Sequence, residues 1–377
     1  MKRFSIILFG ALAILMASCS KHAQPEPEFE PWVNDLSLPV PIQFGTPNLV
    51  SPDTKAAPIK DASNLEGKRI GVFAIDKSSN NWTDSESILM NNVIASSDRG
   101  KITFSPTQYY PVKSDKNYTF YGYYVYSADV GYESDSEEPI PTGDQDGYYV
   151  TLPMGNIDYL WAKSEATAYN GLDGFNAKYI REITKGGAGA SDKMPKFEFK
   201  HITAGVDIKV QADPQEAGAT FTDIKICSVC VNDAVTKAKL CIAHRTKPSK
   251  EGTFVSTDPT PGKIEMTGGS NSTVWLENAG PFSPTIDGVT VGHGLFLYPG
   301  KAYKVTVYYK SDATKNQWTP FTFTTSTLQA GYKYTYTLLF HSSKSIDINV
   351  SVLGWEEGST GEPMDTSENG PMDTPEN

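Results

Sequence analysis

The chain has 377 residues and a formal net charge of −11 at pH 7. So acidic a surface is repelled by nucleic acid and by bare anionic membranes, and neither is an expected partner. With 20 Tyr, 17 Phe, 31 Gly and 25 Pro, and no helical stripe longer than about three turns at 3.6-residue spacing, the composition is that of an all-β protein with many turns.

The first segment reads as a leader. Lys2-Arg3 is a basic start, Phe4 to Met16 is an apolar run broken only by Ser5 and Gly10, and the small pair Ala17-Ser18 precedes Cys19. Residues 1–18 therefore predict a secretory signal peptide, too short for a comfortable membrane span. Leu15-Met16-Ala17-Ser18-Cys19 resembles the lipobox of bacterial lipoproteins, in which the Cys thiol takes a diacylglyceryl group and becomes the first residue. Met16 stands where Leu is commoner. Cys19 is thus the expected lipid anchor. Losing Lys2 and Arg3 with the leader takes the net charge from −11 to −13. No later apolar run reaches spanning length, so the membrane link would rest on acyl chains.

Residues 19–64 hold a tether, a strand and an open loop. Ser20 to about Asp35 is rich in Pro and Glu and has too little apolar surface to pack on its own. Leu38, Val40, Ile42 and Phe44 then alternate with Pro39, Pro41 and Gln43. Period two predicts a strand, and the prolines, which cannot donate to a ladder, place it at a sheet edge. Val50 to Asn64 is a loop carrying Lys55 and Lys60. A buried strand is predicted over 69–75, with others at 101–104, 118–126, 148–152 and 159–163. Gly122, inside the Tyr-rich 118–126 run, marks a bulge or a close approach.

Gly186-Gly187-Ala188-Gly189-Ala190-Ser191 reads as a flexible joint. It divides an N-terminal β-sandwich over 65–190 from a C-terminal one over 191–356. Beyond it Phe197, Phe199 and His201 alternate with polar residues, and Val206, Ile208 and Val210 share a face. A hairpin is predicted from Ile224 to Ile242, turning at Asn232-Asp233. Later strands fit 274–277, 294–297, 303–309, 319–324, 332–340 and 346–353, the last ending at Trp355. Residues 357–377 form an acidic, loosely repeated tail expected to be disordered.

Cys227, Cys230, Cys241 and His244 have the paired spacings of four soft ligands, resembling a zinc site. The strand pattern through Ile224, Ile226, Val229 and Val231 opposes it, because residues three apart on a strand point to opposite faces. Buried core thiols, one disulfide and a metal site are the three readings of these residues. No paired-His helix, Ser elbow or phosphate loop occurs, so no catalytic residue and no cofactor is expected. Asp144-Gln145-Asp146-Gly147 supplies two carboxylates of a calcium loop without its third Asp or closing Glu, and reads as a solvated turn. Trp82, Trp161, Trp275 and Trp318 could stack on sugars, although strand settings favour the core.

Several stretches recur in a telling order: the lipobox with its acidic tether, Thr54-Lys55-Ala56, Leu65-Glu66-Gly67-Lys68-Arg69-Ile70-Gly71-Val72-Phe73-Ala74, Phe197-Glu198-Phe199-Lys200-His201-Ile202-Thr203-Ala204, and Ala330-Gly331-Tyr332-Lys333-Tyr334-Thr335-Tyr336 before Gly354-Trp355. This layout resembles the fimbrillin family of Bacteroidetes surface proteins. The resemblance implies two tandem transthyretin-like β-sandwich domains in an outer-membrane lipoprotein, many of whose relatives become fimbrial subunits. It also implies a trypsin-like protease that cuts after a Lys or Arg near the N-terminus. The first strand leaves with its lipid, and a strand of the next subunit fills the groove. Carried onto this sequence, Leu38, Val40, Ile42 and Phe44 match the removable strand. Lys55 matches the cut, with Lys60 the second choice, and the strand ending near Trp355 is the candidate donor. Other fimbrial subunits, the outer membrane, the protease and a host or bacterial surface ligand are then the expected partners. The alternative is an unprocessed, lipid-anchored surface protein that binds glycan or another ligand.

Overall fold

The computed structural model describes residues 30–45, 48–49, 65–82, 85–98, 101–130, 146–187, 192–216, 218, 221–256, 262–267, 283–291, 294–310, 318–342 and 345–354. Cys19, Lys55, Lys60, Trp275, the predicted 274–277 strand and the 357–377 tail lie outside the described residues.

Seven strands form the largest sheet, in the order Asn48–Leu49, Glu198–His201, Leu160–Ser164, Tyr118–Tyr124, Arg69–Asp76, Ile88–Asp98 and Lys101–Phe104. Its central strands are buried on both faces. Along Arg69–Asp76, Ile70, Val72 and Ala74 enter one core while Phe73 and Ile75 enter another. A strand covered on both sides reads as an unbroken apolar run, as the 69–75 stretch does. Register passes through Gly122 without a shift. A Cβ there would lie 2.7 Å from the Phe197 ring, so this glycine serves a close approach and not a bulge.

Two different layers cover the sheet. One face lies under the N-terminal segment, with its short helix α1 (Pro31–Asn34), and under helix α2 (Ala177–Lys185). Asn176 caps α2 by accepting from the Tyr179 N–H at 2.9 Å. Tyr179, Ile180, Arg181 and Ile183 are buried while Lys178 and Lys185 face out, so α2 is amphipathic but spans only about two and a half turns, too short a stripe to stand out in the sequence. The other face meets a three-stranded sheet of Phe254–Ser256, Lys237–His244 and Gly147–Pro153.

The second unit is a sandwich with one core. Val289–Thr290, Ala204–Ala212, Tyr332–Phe340 and Ile346–Gly354 form one sheet, and Leu295–Leu297 also pairs with Ala204–Ala212. Gly262–Thr267, Lys225–Ala234, Lys304–Lys310 and Thr319–Thr324 form the other. Val206, Ile208 and Val210 meet Val229, Val231, Val305 and Val307 between them. The architecture is therefore two β-sandwiches in tandem, as composition and strand spacing predict.

Two expectations need correction. Sheet pairing does not divide the chain at residues 190 and 191. Glu198–His201 sits beside Leu160–Ser164, and Lys237–His244 pairs along Gly147–Pro153. Nor do residues 224–242 make a hairpin, because Lys225–Ala234 and Lys237–His244 belong to different sheets. Asp233, with a φ of +53°, sits inside Lys225–Ala234 at the register shift between Val231 and Ala234, so it marks a bulge, after which the chain leads into the first unit. Val235 is buried in that unit's core, and the Met154 N–H donates to the Thr236 carbonyl at 2.9 Å. Burial of both strands in separate cores outweighs the local pairing that the turn residues suggest.

Candidate functional site: a groove filled by the N-terminal segment

The alternation at Leu38–Phe44 has a direct structural meaning. Val40, Ile42 and Phe44 point into the first core and are at most 6% exposed. Leu38 is half-buried at the outer end, and Leu36 before it is exposed. The Phe44 ring lies 4.7 Å from Phe197, 5.1 Å edge-on from Phe120 and 6.0 Å from Phe104. Gly122, lacking a Cβ, gives Phe197 its place in that floor.

The main-chain hold on this segment is sparse. Val40–Pro41 pairs antiparallel with Tyr109–Tyr110. The Ile42 N–H donates to the Gln108 carbonyl and the Gly45 N–H to the Pro195 carbonyl, each at 2.8 Å. Pro39 and Pro41 have no N–H to give. The strand covers the core mainly through its side chains, and this edge pairing matches what the prolines predict.

A second hold comes from α2. Arg181 is 5% exposed. Its Nε donates to the Trp32 carbonyl at 2.9 Å, and its Nη2 donates to the carbonyls of Leu38 at 2.7 Å and Asp35 at 3.2 Å. Hydrogen bonds from the Ser37 hydroxyl and amide hold the Asp35 carboxyl below the usual carboxylate range, with a smaller contribution from the Arg181 charge. Burial pushes the Tyr110 phenol well up. Sequence reading misses Arg181, which stands beside Glu182 between Ile180 and Ile183 and looks like an ordinary surface cation.

Elsewhere the structure separates residues that the sequence groups. Cys230 and Cys241 are buried thiols on strands of different sheets, and the Cys241 thiol donates to the Ala243 carbonyl. The His244 Nδ1 accepts from the Lys247 N–H at 3.1 Å. The Cys227 side chain lies outside the described part. Among the described residues, Cys230, Cys241 and His244 do not gather as metal ligands; the group that could is Asp213, Glu216 and His341. There the imidazole already bridges Asp213 at 2.9 Å and Asp347 at 3.0 Å.

The other described candidates are held within the fold, and Asp144 lies outside the described residues. Arg245 and Thr246 bind the Asp146 carboxylate. Trp82 and Trp161 are core residues, while Trp318 is half-buried beside Lys310. Asp158 accepts from Thr203 at 3.0 Å and meets the His201 Nδ1 at 2.8 Å, where the chain passes from one unit to the other. His201 is 2% exposed.

Among the described residues, Ile346–Gly354 lies at the edge of its sheet. It pairs on one side with Tyr332–Phe340, and Ile348 and Leu353 along it are exposed.

The fold is a tandem β-sandwich whose first core is closed by a loosely paired N-terminal strand. The family comparison narrows it: the model of the fimbrillin-like family matches residues 54–355, and the chain belongs to that family. A fimbrial protein of Bacteroides vulgatus is similar in structure over 82% of this chain and 99% of its own, with a TM-score of 0.51 and 16% identity. A Bacteroides uniformis protein provisionally assigned to cell adhesion covers 84% of this chain and 98% of its own, with a TM-score of 0.47 and 16% identity. At such identities the first likeness speaks for the fold alone. No curated protein matches the chain.

Proposed function

We propose that this protein is a structural subunit of a cell-surface fimbria, in a stalk, tip or accessory position, assembled by β-strand exchange. The observation that carries the reading is the Leu38–Phe44 segment. It seals a hydrophobic core with three side chains and few ladder bonds, and it lies upstream of Lys55 and Lys60. Cleavage after Lys55, or after Lys60 as second choice, by a trypsin-like protease would sever that segment from the body. Its departure would leave an open row of apolar pockets and unpaired donors at an edge, which a strand of another subunit can satisfy. The edge strand Ile346–Gly354 is the donor candidate. Before processing, acylated Cys19 would hold the chain at the outer membrane. Nothing in this mode of action needs catalysis. Adhesion to a host or bacterial surface ligand is compatible with it.

Intact mass and N-terminal sequencing of the protein from its native cell surface test the proposal. A chain that begins at Ala56, or just after Lys60, supports processed assembly. A chain that begins at acylated Cys19 overturns it in favour of an anchored surface protein that binds glycan or another ligand.

A further inference from the structure

Arg181 is a buried cation whose hydrogen bonds go to three main-chain carbonyls of one segment: Trp32, Asp35 and Leu38. A buried guanidinium is costly unless its donors are satisfied. Here the satisfaction comes from the very segment whose Val40, Ile42 and Phe44 plug the groove. We propose that Arg181 is a clasp that retains residues 30–45 in the groove after the chain is cut downstream. Cutting alone then does not open the groove. The occupant leaves only when another extended segment competes for the pockets and brings carbonyl oxygens or a carboxylate to the vacated guanidinium.

Several features point the same way. The clasp reads backbone oxygens and not side chains, so it sets no sequence requirement on the occupant, only an extended shape and free carbonyls. It stands on α2, a helix capped by Asn176 whose Tyr179, Ile180 and Ile183 also pack in the core of the large sheet. It grips the segment before the plugs begin, at the end farthest from Lys55 and Lys60. A cut after either lysine therefore leaves every contact of the clasp intact. The inference rests on the strand-exchange reading for its biological meaning but not for its test.

The test replaces residues 54–60 by the recognition sequence of a site-specific protease in the otherwise complete mature chain. After cutting, release of the N-terminal fragment is followed by size exclusion and intact mass. The fragment should co-elute with the body, and Arg181→Met and Arg181→Lys should release it at least about tenfold faster, a change of about 1.4 kcal/mol. A second variant, a chain that begins at Ser37, keeps Val40, Ile42 and Phe44 but loses the Trp32 and Asp35 acceptors. It too should release faster, and it keeps the test open if Arg181→Met does not fold. Equal release rates from all chains, or immediate loss of the fragment from the unaltered groove, overturn the clasp. Polymer formation by the cut protein is scored separately. Arg181-dependent release without polymers leaves the clasp standing and removes strand exchange, and polymers with Arg181-independent release do the reverse.

Discussion

Phe44 is the largest plug in the groove, and its environment sets the size of its effect. Three aromatic rings surround it, so Phe44→Ala leaves a cavity that they cannot close and should cost about 3–5 kcal/mol in denaturant unfolding. A midpoint within error of the unaltered protein would mean that the segment is not part of the folded core. Gly122→Ala errs in the opposite sense: its methyl would meet the buried Phe197 ring at 2.7 Å, for an expected loss of about 1–3 kcal/mol by overpacking. His341 predicts a pH dependence. Burial lowers its pKa, but the hydrogen bonds and charges of Asp347 and Asp213 outweigh this and raise it above the ordinary value of 6.5. A raised folded pKa gives stability that is full below the unfolded value and is lost as pH rises through the folded one. The melting-temperature gap between the unaltered protein and His341→Asn should be widest near about pH 5.5 and narrow upward; a gap that widens with pH would refute the imidazolium bridge. Plugs such as Val40, Ile42 and Phe44 are legible in the sequence because period two is a local signal. Arg181 is not, because its acceptors lie up to 149 residues away.

At the scale of elements, the N-terminal strand differs from every central strand of the sheet that it covers. Among the described residues it joins only the short Tyr109–Tyr110 strand in a ladder, while Arg69–Asp76 is paired on both sides over most of its length. An element held mainly by plugs can leave without unravelling a sheet. A chain that begins at Ala56 should therefore keep its β circular dichroism yet associate, because Phe104, Phe120 and Phe197 lose their cover. A synthetic peptide of residues 30–46 should bind this shortened chain and suppress its light scattering. A monomer that ignores the peptide would show that the groove collapses instead of waiting for an occupant. Sequence pattern found this strand and most of the others. It missed α2, whose amphipathic stripe runs for only about two and a half turns, and it misread residues 224–242, whose two strands choose separate sheets.

The whole molecule is less divisible than its glycine-rich joint suggests. The backbone passes from the first unit to the second at Ile202-Thr203, just after Glu198–His201 completes the large sheet, and returns at Val235-Thr236 to lay Lys237–His244 along Gly147–Pro153. Gly155 and Phe296 exchange hydrogen bonds across the two units at 3.0 and 3.1 Å. Long-range pairings of this kind leave no trace in local composition, so a run of glycines is read as a boundary when the sheets continue past it. Residues 65–190 alone lack both the inner face of Lys237–His244, with its Leu240 and Ile242, and the Phe197 and Phe199 rings. Each loss strips a different side of the central sheet, and a sheet bared on both faces cannot recover the chain entropy of folding. Expressed by itself, 65–190 should be unfolded by circular dichroism and amide exchange, whereas residues 30–356 should unfold in a single calorimetric transition. Two separated transitions, with the first matched by a folded 65–190 fragment, would restore the glycine joint as a true boundary. A single transition has a consequence for assembly: a load carried through strands exchanged at either end would pass through both sandwiches as one body.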